Sequence, residues 1–223
     1  MSLSTETGAT DAAAPADGVA HRRDFRFGVA WLAAMLIVGL LLGAGGALLA
    51  ARTAVPGDSS AEAGFLRDMS THHAQAVEMS MIAHANSTDP GIISLSADIA
   101  LTQHGQIGYM QAWLRDWSLS PTGSEPPMAW MPGSAGSVRD GLMPGMATPE
   151  QMTVLRTATG KQLDIQFLTL MRQHHLGGIH MAQETLELSD HKDVTWLAVT
   201  MVSGQQSELN VSDDLLQKLR STP

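Results

Sequence analysis

Apolar residues recur every three to four positions through most of this chain, and one such run occurs twice. Residues 65–84 read FLRDMSTHHAQAVEMSMIAH, and residues 167–186 read FLTLMRQHHLGGIHMAQETL. An offset of 102 residues lays one upon the other without a gap. Phe65 falls on Phe167, Leu66 on Leu168, Met69 on Met171, His72 and His73 on His174 and His175, and Met79 on Met181. The offset continues further along: Gln103 meets Gln205, Ile107 meets Leu209, and Leu114 meets Leu216. Repetition at a fixed offset marks an internally duplicated fold. At about 100° per residue, Met69, His72, His73, Ala76, Ser80 and Ala83 share one helical stripe. Met171, His174, His175, Gly178 and Ala182 share its counterpart, with Met79 and Met181 at the edges. Glu78 and His180 lie on the far side.

Start and stop signals bound the helices. Ser59 followed by Glu62 is a capping-box pattern, predicting a helix to about Asn86. Asp89-Pro90 supplies a cap and a first-turn proline for a helix to about Trp117. Its apolar side holds Ile92, Leu95, Ile99, Ile107, Met110 and Leu114. Residues 119–147 are rich in Pro, Gly and Met and exclude a long helix. Thr148-Pro149-Glu150-Gln151 again combines cap, proline and capping box, for a short helix ending near Gly160. A long helix follows from Lys161 to about Leu188, then a turn at Asp190, His191 and Lys192. The last helix spans roughly Asp193 to Leu219, with Trp196, Leu197, Val199, Val202, Leu209, Leu215 and Leu216 as its apolar side. Long amphipathic helices bury their stripes against each other. The expected fold of residues 59–220 is therefore all-α, an antiparallel four-helix bundle made of two duplicated hairpins.

The N-terminal region follows a different pattern. Residues 1–26 open with an Ala-, Thr- and Gly-rich stretch expected to be disordered, and end in HRRDFR. Residues 27–51 contain a charge-free apolar run long enough to cross a bilayer as one transmembrane helix. The arginines ahead of it place the N-terminus in the cytoplasm and the bundle outside, after a linker at 52–58. A cleaved signal peptide is the competing reading, because LLAARTA offers small residues near a cut. The length of the run favours a retained, single-pass anchor in the cell membrane.

Composition narrows the chemistry. The 223 residues contain no Cys, which excludes disulfides, thiolate metal sites and Cys nucleophiles. Net charge is −9, which argues against nucleic acid as a partner. Methionine is abundant, at 14 residues. Imidazole suits copper, zinc, iron and nickel, and thioether selects Cu(I). The pairs His72–His73 and His174–His175, with Met69, Met171, Met79 and Met181, therefore point to copper, Cu(I) favoured. Zinc, or no metal at all, are the alternatives. In the last case the histidines are core residues and the methionines gap-fillers. Met128, Met131, Met143 and Met146 in the loop either fold over the bundle or supply thioethers to a soft metal. Met143 and Met146 are weaker ligand candidates, as is His104. His84 near a helix end suits the helix dipole. His191 is expected to be solvated in its turn.

DMSTHHAQAVEMSMIA, the Met-Pro-Gly-Met of residues 143–146, and FLTLMRQHHLGGIHMA together resemble a bacterial ferritin-like family of unknown function, number 305. That family includes CopM-like copper-binding members. The resemblance covers about residues 60–220. It implies a four-helix extracytoplasmic domain and, for some members, copper binding and tolerance, without an established reaction. It also implies a Gln-x-x-Glu in the second helix of each half. Here Gln205 and Glu208 keep that pattern, which makes Glu208 a further candidate ligand, whereas the first half has Gln103 and Gln106. The leading expectation is a membrane-anchored metal-binding protein that buffers or delivers copper. The alternative is an accessory or structural subunit of a membrane complex. A di-metal oxidase needs Glu-x-x-His motifs, and the sequence contains none.

Overall fold

The computed structural model describes residues 20–52, 55–134 and 136–221. The described residues form six helices: α1 (Ala20–Arg52), α2 (Ala61–Asn86), α3 (Pro90–Asp116), α4 (Pro149–Thr157), α5 (Gly160–Leu188) and α6 (Lys192–Ser221). Among the described residues, strand pairing is confined to one isolated bridge between Arg139 and Leu142. The all-α expectation holds. The chain divides into two compact units, the first ending at Ala54.

In the first unit, Gly28–Leu48 is 21 residues long and apolar enough to cross a membrane by length and composition. A signal sequence near an N-terminus shares these features. α1 begins at Ala20 rather than Phe27. HRRDFRF contains neither Pro nor Gly, so nothing in it stops the helix. The remainder of the expected disordered segment, residues 1–19, lies outside the described residues.

In the second unit α2 packs on α3, α5 on α6, and α2 on α5, with a lighter contact between α3 and α6. Short turns at 87–89 and 189–191 force antiparallel neighbours. The two turns are built alike. Ser87 Oγ accepts from the Asp89 N–H at 3.1 Å, and Ser189 Oγ accepts from the His191 N–H at 3.1 Å. The duplication thus extends to the hairpin turns. α2 is capped by Ser60, whose hydroxyl accepts from the Ala63 N–H at 3.2 Å, and not by Ser59. Asp89 caps α3 through the Gly91 and Ile92 N–H groups. Thr148 and Gln151 form the expected capping box at α4.

Two apolar clusters flank the middle of the unit. One gathers Phe65, Leu66, Met69, Met110, Leu114, Met181, Leu197 and Met201. The other gathers Met79, Ile92, Ile99, Leu163, Phe167, Leu168, Met171 and Leu216. Each such side chain contributes about 1.5–3 kcal/mol on burial. On α6, Trp196 and Val199 face outward, 54% and 55% exposed, contrary to their assignment to the core side. Val194, Ala198, Met201, Gln205, Leu209, Ser212 and Leu216 occupy the buried stripe instead.

The loop between the halves folds over the bundle. Met128, Met131 and Met143 are buried and Met146 is half-buried against the first cluster. Asp68 on α2 anchors the loop, its Oδ2 accepting from the Met128 N–H at 2.6 Å and from the Trp130 indole N–H at 2.8 Å. Burial pushes the Asp68 carboxyl above the usual range, against the lowering effect of these two hydrogen bonds. Trp130 meets Phe65 edge-on, at 5.8 Å between centroids. Its indole fits because position 64 is glycine: a Cβ there would stand 2.5 Å from the ring.

Candidate metal centre

α2 and α5 cross where each carries its histidine pair. All four imidazoles are buried. The His72 and His174 rings, 102 residues apart, stack with centroids 3.7 Å apart and planes at 36°. His174 Nε2 lies 2.9 Å from the His72 carbonyl oxygen. His72 Nε2 lies 3.1 Å from the Pro144 carbonyl oxygen. The outer histidines each meet the second helix of their own hairpin. His73 Nε2 is 2.7 Å from Gln106 Oε1, and His175 Nε2 is 2.5 Å from Glu208 Oε2. Glu208 was a minor candidate from the sequence, yet it touches the histidine layer directly.

These partners fix the tautomers. Backbone carbonyls, a carboxylate and an amide oxygen all accept, so the proton of each neutral ring is assigned to Nε2. The lone pair is then on Nδ1. The Nδ1 atoms of His72, His73 and His175 are buried without a hydrogen-bond partner, as are both polar side-chain atoms of Gln103 and Oε1 of Gln205. Burial disfavours the charged form of His72, His73 and His174. His72 is lowered to about 4 and His73 to about 3, by burial first and with the neighbouring imidazoles adding to it, against the raising effect of the Pro144 and Gln106 hydrogen bonds. His174 is held well below 6.5 by burial first and then by the other three histidines.

The four helix methionines are fully buried but divide into two pairs. Met69 and Met181 enter one apolar cluster, and Met79 and Met171 the other. The histidine layer lies between the clusters, as a two-fold relation of antiparallel helices requires. Among the described residues, no three His, Cys, Asp or Glu side chains stand ready to hold an ion. Every Nε2 is engaged by a protein acceptor, and the His72 and His174 rings lie against each other at a tilt of 36°. In kind, the donor set nevertheless fits a soft, imidazole-binding ion. It offers buried imidazoles, three of them with an unpartnered Nδ1, thioethers one turn earlier on the same helices, and a carboxylate behind one ring.

His104 lies outside this layer. It is exposed, because Gln103, Gln106 and Met110 form the buried stripe of α3 and position 104 is turned about 100° from it. His84 and His180 are exposed as well, His84 Nδ1 lying 3.1 Å from the Ile93 carbonyl oxygen. His191 is not simply solvated: it is half-buried and packs edge-on against Trp117 at 5.0 Å.

The Met-Pro-Gly-Met strap is the part that helical periodicity missed. Gln75 holds Ala147 at both ends, its Oε1 accepting from the Ala147 N–H at 2.7 Å and its Nε2 donating to the Ala147 carbonyl at 2.8 Å. Gly145 takes φ +84° and lies against α5 so closely that a Cβ would collide with the Gln173 carbonyl. A Cβ on Gly177 would collide with the Pro144 carbonyl. The strap thus presses onto α5 beside His174 while presenting its carbonyl to His72. The signal was present in the Gly177-Gly178 pair, where helix propensity disfavours glycine. Gly178 itself leaves room for the Gln205 amide, 2.7 Å from a Cβ built there.

Known structures share this architecture. A DUF305 protein from Streptomyces coelicolor is 42% identical, with 73% of this chain and 96% of that chain covered at a TM-score of 0.67. A DUF305 fragment from Deinococcus radiodurans is 30% identical, with coverages of 71% and 96% and a TM-score of 0.59. CopM in its Cu(II)-bound form shares the fold at 21% identity and a TM-score of 0.55, covering 71% of this chain and 97% of its own. No curated protein matches the chain at a significant level. The family described as "Domain of unknown function (DUF305)" matches residues 62–216, from the first turn of α2 to the last turns of α6 and across both histidine pairs; the chain belongs to that family.

Proposed function

We propose that the second unit binds copper at the histidine layer and buffers or delivers it, with α1 as a membrane anchor that holds the unit outside the cytoplasm. The observation that carries this reading is the set of unpartnered Nδ1 atoms on His72, His73 and His175. A buried polar atom without a partner costs on the order of 1–3 kcal/mol. Three in one layer, each on a ring whose other nitrogen is oriented by an oxygen acceptor, match the arrangement metal-binding histidines adopt. His72, His73, His174 and His175 are the imidazole donors. Met69 and Met171 stand one turn before them, and Met79 and Met181 add thioethers from the flanking clusters. Met143 and Met146 flank the strap and are the proposed exchange residues. Copper is the cargo rather than a reagent, and Cu(I) is favoured by thioether and neutral imidazole. Relatives of the same fold, CopM structures at 20–21% identity, hold Cu(I) and Cu(II). Loading the layer separates the stacked rings, so binding competes with the packing of the free form.

One observation favours a second reading, docking to a membrane-protein partner. Tyr109, Trp113 and Trp196 form an aromatic group on α3 and α6, with Tyr109 and Trp196 about half exposed. Exposed aromatic patches mark partner surfaces. The test is Cu(I) titration against a competing chelator, on the full chain and on a variant with all four histidines replaced by Ala. Tight binding by the chain and loss in the helical variant support the copper reading. Full binding retained in the variant removes the site, and no binding by either leaves the docking reading.

A further inference from the structure

The duplication sets chemically unequal groups behind two equivalent histidines. Gln106 and Glu208 each stand 33 residues after the histidine they contact, so the two pairs are the same contact made twice. The buried polar position one turn earlier repeats without change, Gln103 answering Gln205. The outer shell of the layer therefore differs between halves by an amide for a carboxylate: one negative charge at nearly constant shape. Exposure differs as well. The Glu208 side chain is 17% exposed and His175 1%, whereas Gln106 and His73 are both buried.

We propose, resting on the copper reading above, that the layer contains two half-sites sorted by ion charge. The His175–Glu208 half takes a divalent cation such as Cu(II) or Zn(II), and the His73–Gln106 half takes a soft monovalent one, Cu(I) or Ag(I). The argument is electrostatic. A cation in a buried site of neutral donors is stable only if its charge is compensated nearby, and a double charge demands more compensation than a single one. Glu208 supplies that charge through the His175 ring and makes its Nδ1 a stronger donor. Gln106 orients His73 equally well but adds no charge. Its half is left with imidazole and thioether, which suit a monovalent soft ion. Glu208 and Gln106 act here as positioning residues with opposite selectivity, not as ligands.

The test uses the full chain in mild detergent, titrated separately with Zn(II) and with Cu(I) against competing chelators. Glu208→Gln should weaken Zn(II) binding about 10- to 100-fold, the usual effect of removing an outer-shell partner, and Cu(I) by less than about threefold. Gln106→Glu should add a second Zn(II) of similar affinity. Glu208→Gln copies an arrangement the fold already accommodates at His73, so its helicity by circular dichroism should match that of the parent. Zn(II) and Cu(I) affinities that fall together, or that both stay constant, overturn the sorting while leaving copper binding intact. Failure of the parent chain to bind Cu(I) overturns both.

Discussion

Lowering the pH from about 7.5 to about 5 charges these histidines in the unfolded chain but not in the folded one. His72 has an ordinary value of 6.5 and a folded value of about 4, and His73 falls to about 3. The folded values are depressed, so the unfolded chain binds more protons below 6.5. The stability these groups confer is complete above about pH 7 and is lost as the pH falls from 6.5 towards the folded values. At pH 5 the linkage relation gives a loss of about 2 kcal/mol for each, hence about 4 kcal/mol for the two. His174 is shifted in the same direction and adds to the loss. Asp68 opposes it, because a raised carboxyl favours the folded state as the pH falls. For a unit of this size, about 4 kcal/mol lowers the melting temperature by on the order of 10 °C. Thermal unfolding followed by circular dichroism at the two pH values measures it. The variant His72→Gln/His73→Gln should lose most of the pH dependence. Equal melting temperatures at both pH values, or an undiminished shift in the variant, would refute the reasoning.

Gly177→Ala distinguishes strap packing from helix propensity. Propensity alone makes it stabilising by about 1 kcal/mol. The collision with the Pro144 carbonyl makes it destabilising by about 1–3 kcal/mol, read by thermal unfolding. Gly108→Ala on α3 meets open space and should stabilise by roughly 0.5–1 kcal/mol in the same assay. Asp68→Ala leaves the Met128 N–H and the Trp130 indole without an acceptor. It should weaken loop attachment by about 2 kcal/mol and expose residues 120–134 to limited proteolysis without loss of helicity. An unchanged cleavage pattern would mean that Asp68 does not anchor the loop.

Periodicity and capping residues made most of the fold legible. The helix ends at Asn86 and Leu188, the Asp89 cap and the Thr148 capping box were all readable, because each is a local property of a few residues. The 102-residue offset announced the pairing of the halves and, with it, that His72 would answer His174. Four features escaped. Ser60 rather than Ser59 caps α2, a choice between adjacent serines that only the turn at Gly57 decides, through the Ser60 N–H to its carbonyl at 3.1 Å. Trp196 and Val199 read as core residues because an apolar side chain on a helix does not declare which face is covered. His104 drew attention by standing next to Gln103, whereas one step along a helix moves a side chain away from the stripe. The strap's contacts depend on backbone carbonyls, above all that of Pro144, and a backbone group has no signature in a sequence.

The most direct test of the central claim is a nitrogen-15 spectrum of labelled histidine in the full chain, recorded before and after adding Ag(I), a diamagnetic stand-in for Cu(I). Before addition, His72, His73 and His174 should appear as neutral rings protonated at Nε2. On addition, their Nδ1 resonances should move, while those of the exposed His84, His104 and His180 stay in place. Unmoved buried rings, or shifts confined to the exposed histidines, would contradict a metal site at the crossing of α2 and α5.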